Sequence, residues 1–129
     1  MILDTTFVID LLENDPGAVA KSKELQRGGE AVLATAISVF EIWQGAEDIA
    51  DAEKRERIEV LLSSIGLLPL DTDSAKEAGV IHSDGYRKGR PIDPEDSMIA
   101  GIARKHHQPV LTRNVKHFSQ VKGLRVETY

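Results

Sequence analysis

Apolar positions along the chain alternate between short unbroken runs and helical spacing. Met1-Ile2-Leu3 reads as a strand ending at Asp4, after which Phe7, Val8, Leu11 and Leu12 recur on one helix face. Asn14-Asp15-Pro16-Gly17 predicts a turn, Ala18 to Gln26 a helix stopped by Gly28-Gly29, and AVLAT (31–35) a second strand. Val39, Ile42, Trp43, Ala46 and Ile49 place a helix over Ala36 to Asp48, and a more charged helix follows from Asp51 to Ser63. GLLPL (66–70) predicts a third strand, and Asp71 or Thr72 caps a helix that reaches Tyr86. After the loop RKGR (87–90), a helix begins near Pro94. QPVLT (108–112) predicts a fourth strand, Asn114 to Ser119 a short helical turn, and LRVETY (124–129) a closing strand.

Strands alternating with helices predict an α/β fold with a mostly parallel sheet covered on both faces. No internal repeat or linker divides the sequence, so residues 1–129 are expected to form one domain. In such sheets ligands bind beyond the strand C-termini, where the strand order reverses, so acids at those ends deserve inspection first.

Composition narrows the chemistry. At 129 residues, with 41% hydrophobic and 29% charged positions, the chain has ordinary globular usage and can bury a core without staples. The absence of cysteine excludes disulfides, thiolate zinc sites and a cysteine nucleophile, and is compatible with a reducing cytosol. MILDTTFVIDLL carries Asp4 and Asp10 and lacks a basic start, so it reads as structure rather than signal peptide. No apolar stretch approaches the ~18 residues of a membrane span. The expectation is a cytoplasmic protein without a membrane partner.

The net charge of −5 is unevenly placed: residues 1–84 hold 7 Lys/Arg against 17 Asp/Glu, and residues 85–129 hold 9 against 4. Arg87, Lys88, Arg90, Arg104, Lys105, Arg113 and Lys116 could form a surface for a polyanion, although solvated helix faces account for them equally well. Phosphate loops of the GxGxxG and GxxxxGK[ST] types are missing. His82, His106, His107 and His117 show no metal-ligand spacing, and His106-His107 is expected to favour a helix C-terminus.

Each carboxylate near a strand end has two readings. Asp4 either caps the next helix or faces the crevice, whereas Asp10 lies within that helix. Ser38 and Glu41 have capping-box spacing; if the helix instead starts at Thr35 or Ala36, Glu41 lies past the first turn, with open space beside it at Gly45. Within PIDPEDSMIAGIARKH (91–106), Asp93 before Pro94 is a near-ideal cap, and Asp96 can complete the box. Asp96 also lies near the apolar stripe of Ile99, Ala100 and Ala103, while Glu95 shares part of that stripe, so helical geometry does not choose between them. Thr112 and Asn114 follow a strand, where they can orient a carboxylate or simply form a turn.

MILDTTFVIDLL, Ser38-x-x-Glu41-x-x-x-Gly45, PIDPEDSMIAGIA and VLTRNVKHF followed by GLRVETY together resemble the successive motifs of PIN-domain proteins, specifically the VapC ribonuclease toxins. The resemblance spans the chain and implies a three-layer α/β/α domain whose acids hold Mg²⁺ or Mn²⁺ and cleave RNA. By position it assigns Asp4, Glu41, Asp96 and Asn114 to the catalytic set, Asp4 and Asp96 as principal metal ligands, and Asp93 and Thr112 as auxiliary. Asn114 departs from the acid found there in many members, which bears on a second metal. Arg113, Lys116, Arg87, Lys88 and Arg90 become candidate RNA contacts. The implied partners are an RNA substrate, a cognate antitoxin seated in a hydrophobic groove, and a second copy in a homodimer. Two other readings compete: phosphoryl transfer on Asp4, weakened because Thr6 stands where such phosphatases carry a second Asp, and a catalytically inactive PIN-like RNA-binding module.

Overall fold

The computed structural model describes residues 1–47 and 50–129. In chain order the elements are β1 (Ile2–Leu3), α1 (Thr5–Leu12), α2 (Pro16–Arg27), β2 (Leu33–Thr35), α3 (Ala36–Glu47) and α4 (Ala52–Ser64). They continue with β3 (Gly66–Leu68), α5 (Thr72–Arg87), α6 (Pro94–Lys105), β4 (Val110–Leu111), α7 (Val115–Phe118) and β5 (Val126–Glu127). The expected helix end at Asp48 and the apolar position Ile49 lie outside the described residues.

All five strands pair in parallel, in the order β3-β2-β1-β4-β5. Successive strand residues point to opposite faces, so Leu3 and Leu111 enter one core while Ile2 and Val110 enter the other. The first core gathers Phe7, Val8, Leu25, Ile42, Ile58 and Leu62 from α1 to α4. The second gathers Ile81, Ile99, Ile102 and Phe118 from α5 to α7. Apolar packing on both faces makes the α/β/α arrangement.

The strands are shorter than the apolar runs predict, and proline explains two of the boundaries. Pro109 accepts from the Ile2 N–H through its carbonyl but has no N–H to donate, so the ladder starts at Val110. Pro69 likewise follows the end of β3 at Leu68. Helix α2 begins two residues earlier than predicted, because Asp15 accepts from the Ala18 N–H at 2.9 Å and Pro16 occupies the first turn.

The crossing of α5 and α6 fixes the helix that carries Asp93 and Asp96. A Cβ added at Gly101 would lie 2.6 Å from the Ser74 carbonyl and 2.7 Å from the Ala78 nitrogen, so only glycine admits this approach. Strand order reverses between β1 and β4, which leaves a crevice beyond their C-terminal ends. Asp4 and Thr112 follow those two ends directly. Among the described residues, no helix is long and apolar enough to cross a membrane.

Candidate active site

Five helices begin at an aspartate N-cap, and the cap bonds divide them. Asp15, Asp51 and Asp71 accept from backbone N–H groups of their first turns. Asp4 and Asp93 hold the same position on α1 and α6, yet neither side chain makes a cap bond. For Asp93 this corrects the sequence expectation: the residue starts the helix, but its carboxylate is not spent there. Asp96 completes no box either. Both withheld carboxylates belong to the helices that border the crevice.

Asp4 is 2% exposed. Thr112 Oγ1 donates to Asp4 Oδ2 at 2.7 Å, and Thr6 Oγ1 donates to the same oxygen at 2.9 Å. The Thr112 hydroxyl accepts from the Asn114 N–H at 2.8 Å, which directs its single proton toward Asp4. One carboxylate oxygen is thereby saturated, and among the described residues no donor reaches the other.

Glu41 is freed from capping by a neighbour. Thr35, just before α3, accepts from the Ser38 N–H at 3.1 Å, and the two hydroxyls lie 3.2 Å apart, so Thr35 rather than a Ser38–Glu41 box closes the helix start. Glu41 then sits past the first turn and accepts from Thr5 Oγ1 at 2.8 Å. Burial pushes its carboxyl above the usual range, and the charges of Asp4, Asp96 and Glu95 push the same way against the Thr5 bond.

Asp96, not Glu95, is the helix acid tied into the crevice. Its Oδ2 accepts from Asn114 Nδ2 at 2.9 Å and lies 2.8 Å from His117 Nδ1. Burial raises the Asp96 carboxyl, with Asp4 and Asp93 adding to the rise and His117 opposing it. Among the described residues, Asp93, Asp96 and His117 form the group whose ligand atoms all lie within 4.8 Å of one another. Asp4 and Glu41 lie outside that tight group, and their charges reach Asp96 and each other across the crevice. Among the described residues, no lysine or arginine pairs with Asp4, Glu41, Asp93 or Asp96.

His117 was missed by spacing rules, because no second histidine stands at ligand distance in the sequence. A usable signal was local: three residues after Asn114, on the one-turn helix α7, the imidazole returns to the side the Asn114 amide faces. His106, by contrast, ends α6 as expected, and His107 takes a left-handed turn at φ 52°.

The basic candidates separate. Arg90 and Lys116 line an open groove with Pro91, His117, Ser119 and Gln120, next to the acids. Arg87 pairs with Asp84, and Lys88 lines a different hollow with Asp84 and Arg104. Arg113 turns away between Thr112 and Asn114, bonding Asp15 at 2.9 Å and Asp10 at 3.2 Å while its guanidinium covers the Tyr129 ring. Tyr129 donates to Asp10 at 2.6 Å and meets Phe7 edge-on. That guanidinium is tied to Asp10, Asp15 and Tyr129 while its side chain remains 47% exposed.

A family model described as PIN domain matches residues 1–124. The tRNA(fMet)-specific endonuclease VapC of Shigella flexneri is 33% identical over 129 residues, covering 99% of this chain and 96% of that protein. DNA-bound VapBC from Salmonella typhimurium contains a chain that superposes with a TM-score of 0.86 at 30% identity, covering 98% of this chain and 96% of that one. VapBC-1 from nontypeable Haemophilus influenzae gives 0.84 at 25% identity, with the same two coverages.

Proposed function

This chain belongs to the PIN-domain family, and from that premise we propose that it is a divalent-metal-dependent endoribonuclease, the toxin of a type II toxin–antitoxin pair. The observation that carries the reading is the unpaired acid cluster at the strand-order reversal, with two aspartates held at helix starts but withheld from capping. Buried carboxylates that repel one another without a cation need a partner. Their oxygen atoms are hard donors of the kind that suit Mg²⁺ or Mn²⁺.

Asp4 and Asp96 are the proposed principal ligands, with Asp93 contributing from the start of α6. When bound, the ion would supply charge stabilisation at the scissile phosphate and make water a better nucleophile. Thr112 and Thr6 hold Asp4 Oδ2 and turn its other oxygen inward. Glu41 is fixed through Oε1 by Thr5, which leaves Oε2 to accept a proton from the attacking water. Arg90 and Lys116 would hold the RNA backbone in the adjoining groove. Asn114 supports the active reading over the inactive module, because its amide donates to Asp96, a bond an ionised carboxylate at that place could not supply.

The antitoxin is proposed to occupy the apolar groove lined by Ile9, Leu12, Ile42, Ala46 and Ile58, which opens beside Glu41. Gly45 borders it, and a Cβ there would meet nothing within 4 Å. Purified protein should cleave single-stranded RNA in Mg²⁺ or Mn²⁺, and stop in EDTA. Full cleavage in EDTA, or by a folded Asp96→Asn variant, would overturn the metal mechanism. RNA binding without cleavage at any metal concentration would favour the inactive module.

A further inference from the structure

Among the described residues of the crevice cluster, His117 is the side chain that offers nitrogen rather than oxygen to a cation. Its Nδ1 lies 2.8 Å from Asp96 Oδ2 and 2.8 Å from Asn114 Nδ2, so the imidazole edge is aimed into the cluster rather than at solvent. The side chain is 28% exposed, against 14% for Asp96, and both are held by packed elements: Phe118 beside it is fully buried. Asp96 Oδ2, Asn114 Nδ2 and His117 Nδ1 form a triangle with sides of 2.8 to 2.9 Å, in which the role of the ring nitrogen follows the imidazole tautomer. The arrangement is that of a ring nitrogen parked on a carboxylate that is itself a proposed ligand.

We infer that His117 supplies a nitrogen ligand to this centre and biases it toward Mn²⁺ over Mg²⁺. The inference rests on the metal-dependent reading above and adds the identity of the preferred ion. Both ions take carboxylate oxygen, but Mg²⁺ demands near-ideal oxygen geometry and surrenders its waters reluctantly, whereas Mn²⁺, a first-row transition ion, also accepts a neutral imidazole nitrogen. Asp93 and Asp96 provide the oxygen share of the mixed set, and ligand atoms of all three residues lie within 4.8 Å of one another. For coordination, Nδ1 must present its lone pair, which puts the ring proton on Nε2.

The test uses the intact protein stripped of metal and titrated with Mn²⁺, followed by the electron spin resonance of free Mn²⁺ and by electron spin-echo modulation from bound ion. Wild type should bind Mn²⁺ and show ¹⁴N coupling of the strength given by a directly bound imidazole. His117→Gln and His117→Asp should both lose that coupling, with folding checked by circular dichroism. In His117→Asp, competition with Mg²⁺ should show the Mn²⁺ preference reduced about tenfold, since the set becomes all oxygen. Mn²⁺ bound to wild type without ¹⁴N coupling, or coupling that survives in both variants, overturns the role of His117 and leaves the metal-dependent reading standing. Failure of wild type to bind Mn²⁺ overturns the role of His117, and failure to bind either Mn²⁺ or Mg²⁺ at millimolar concentration overturns both.

Discussion

Thr112, Arg113 and Asn114 divide the molecule between two acid clusters built on opposite plans. On one side, Asp10 and Asp15 share the Arg113 guanidinium, and Tyr129 donates to Asp10 and lies under the cation. On the other, Thr112 and Asn114 donate to Asp4 and Asp96, which, with Glu41 and Asp93, pair with no lysine or arginine among the described residues. One cluster carries its own counter-charge and the other leaves it to be supplied. Their titration runs in opposite directions as well: the first turn of α2 and Arg113 hold Asp15 below the ordinary carboxylate range, while burial and neighbouring acids hold Glu41 and Asp96 above it. Acidity is thus compensated within the fold in one cluster and left uncompensated in the other.

The largest expected effect separates the clusters by activity. Asp96→Asn should lower RNA cleavage by at least ~100-fold, while Tyr129→Phe changes it less than about threefold. A comparable loss in both would show that the Arg113 cluster participates in the chemistry. Next comes stabilisation by metal. Mn²⁺ at about 100 times its dissociation constant should stabilise wild type by roughly 2.7 kcal/mol, measured as a rise in melting temperature, and Asp96→Asn should lose most of that gain.

Stability against pH gives a smaller contrast. In metal-free protein the raised carboxyls of Glu41 and Asp96 favour folding below the ordinary carboxylate pKa, and that contribution is lost as pH rises through their folded values. Asp96→Asn should thus match wild type near pH 4 and melt higher than wild type at pH 7 in metal-free protein. Asp15 contributes the other way: its stabilisation is present above the ordinary carboxylate pKa and disappears as pH falls. Arg113→Gln should accordingly melt lower than wild type at pH 7, with the difference shrinking in acid. Smallest is Tyr129→Phe, expected to cost roughly 1 kcal/mol, or about 3 °C, through loss of one hydrogen bond to Asp10. An unchanged melting temperature would show that the phenol–Asp10 bond contributes no net stability.

The order of strands and helices was legible in the apolar pattern, and so was the location of the crevice, since Asp4 and Thr112 each follow a short apolar run. Strand lengths were less legible, because a run such as QPVLT does not reveal that Pro109 cannot donate to the ladder. The three acids of PIDPEDSMIAGIARKH illustrate a deeper limit. Asp93-Pro94 has the sequence of a helix start and is one, but only side-chain geometry shows that the carboxylate makes no cap bond. Asp96 and Glu95 were separated by residues Asn114 and His117, which local helical spacing could not bring into view. The surroundings of Arg113 were hidden for the same reason, since Asp10, Asp15 and Tyr129 close around it only in the fold.

The hydrogen bond from Thr112 to Asp4 joins residues 108 positions apart. Asp4 emerges first from a ribosome, but Thr112 reaches it only after β4 has inserted beside β1, late in synthesis. Parallel pairing over such a separation is among the slower events of folding. A nascent chain therefore holds Asp4 without its Thr112 bond until β4 has been made, so the proposed metal site assembles long after its first ligand. The parallel topology thus separates the making of Asp4 from the completion of the site around it.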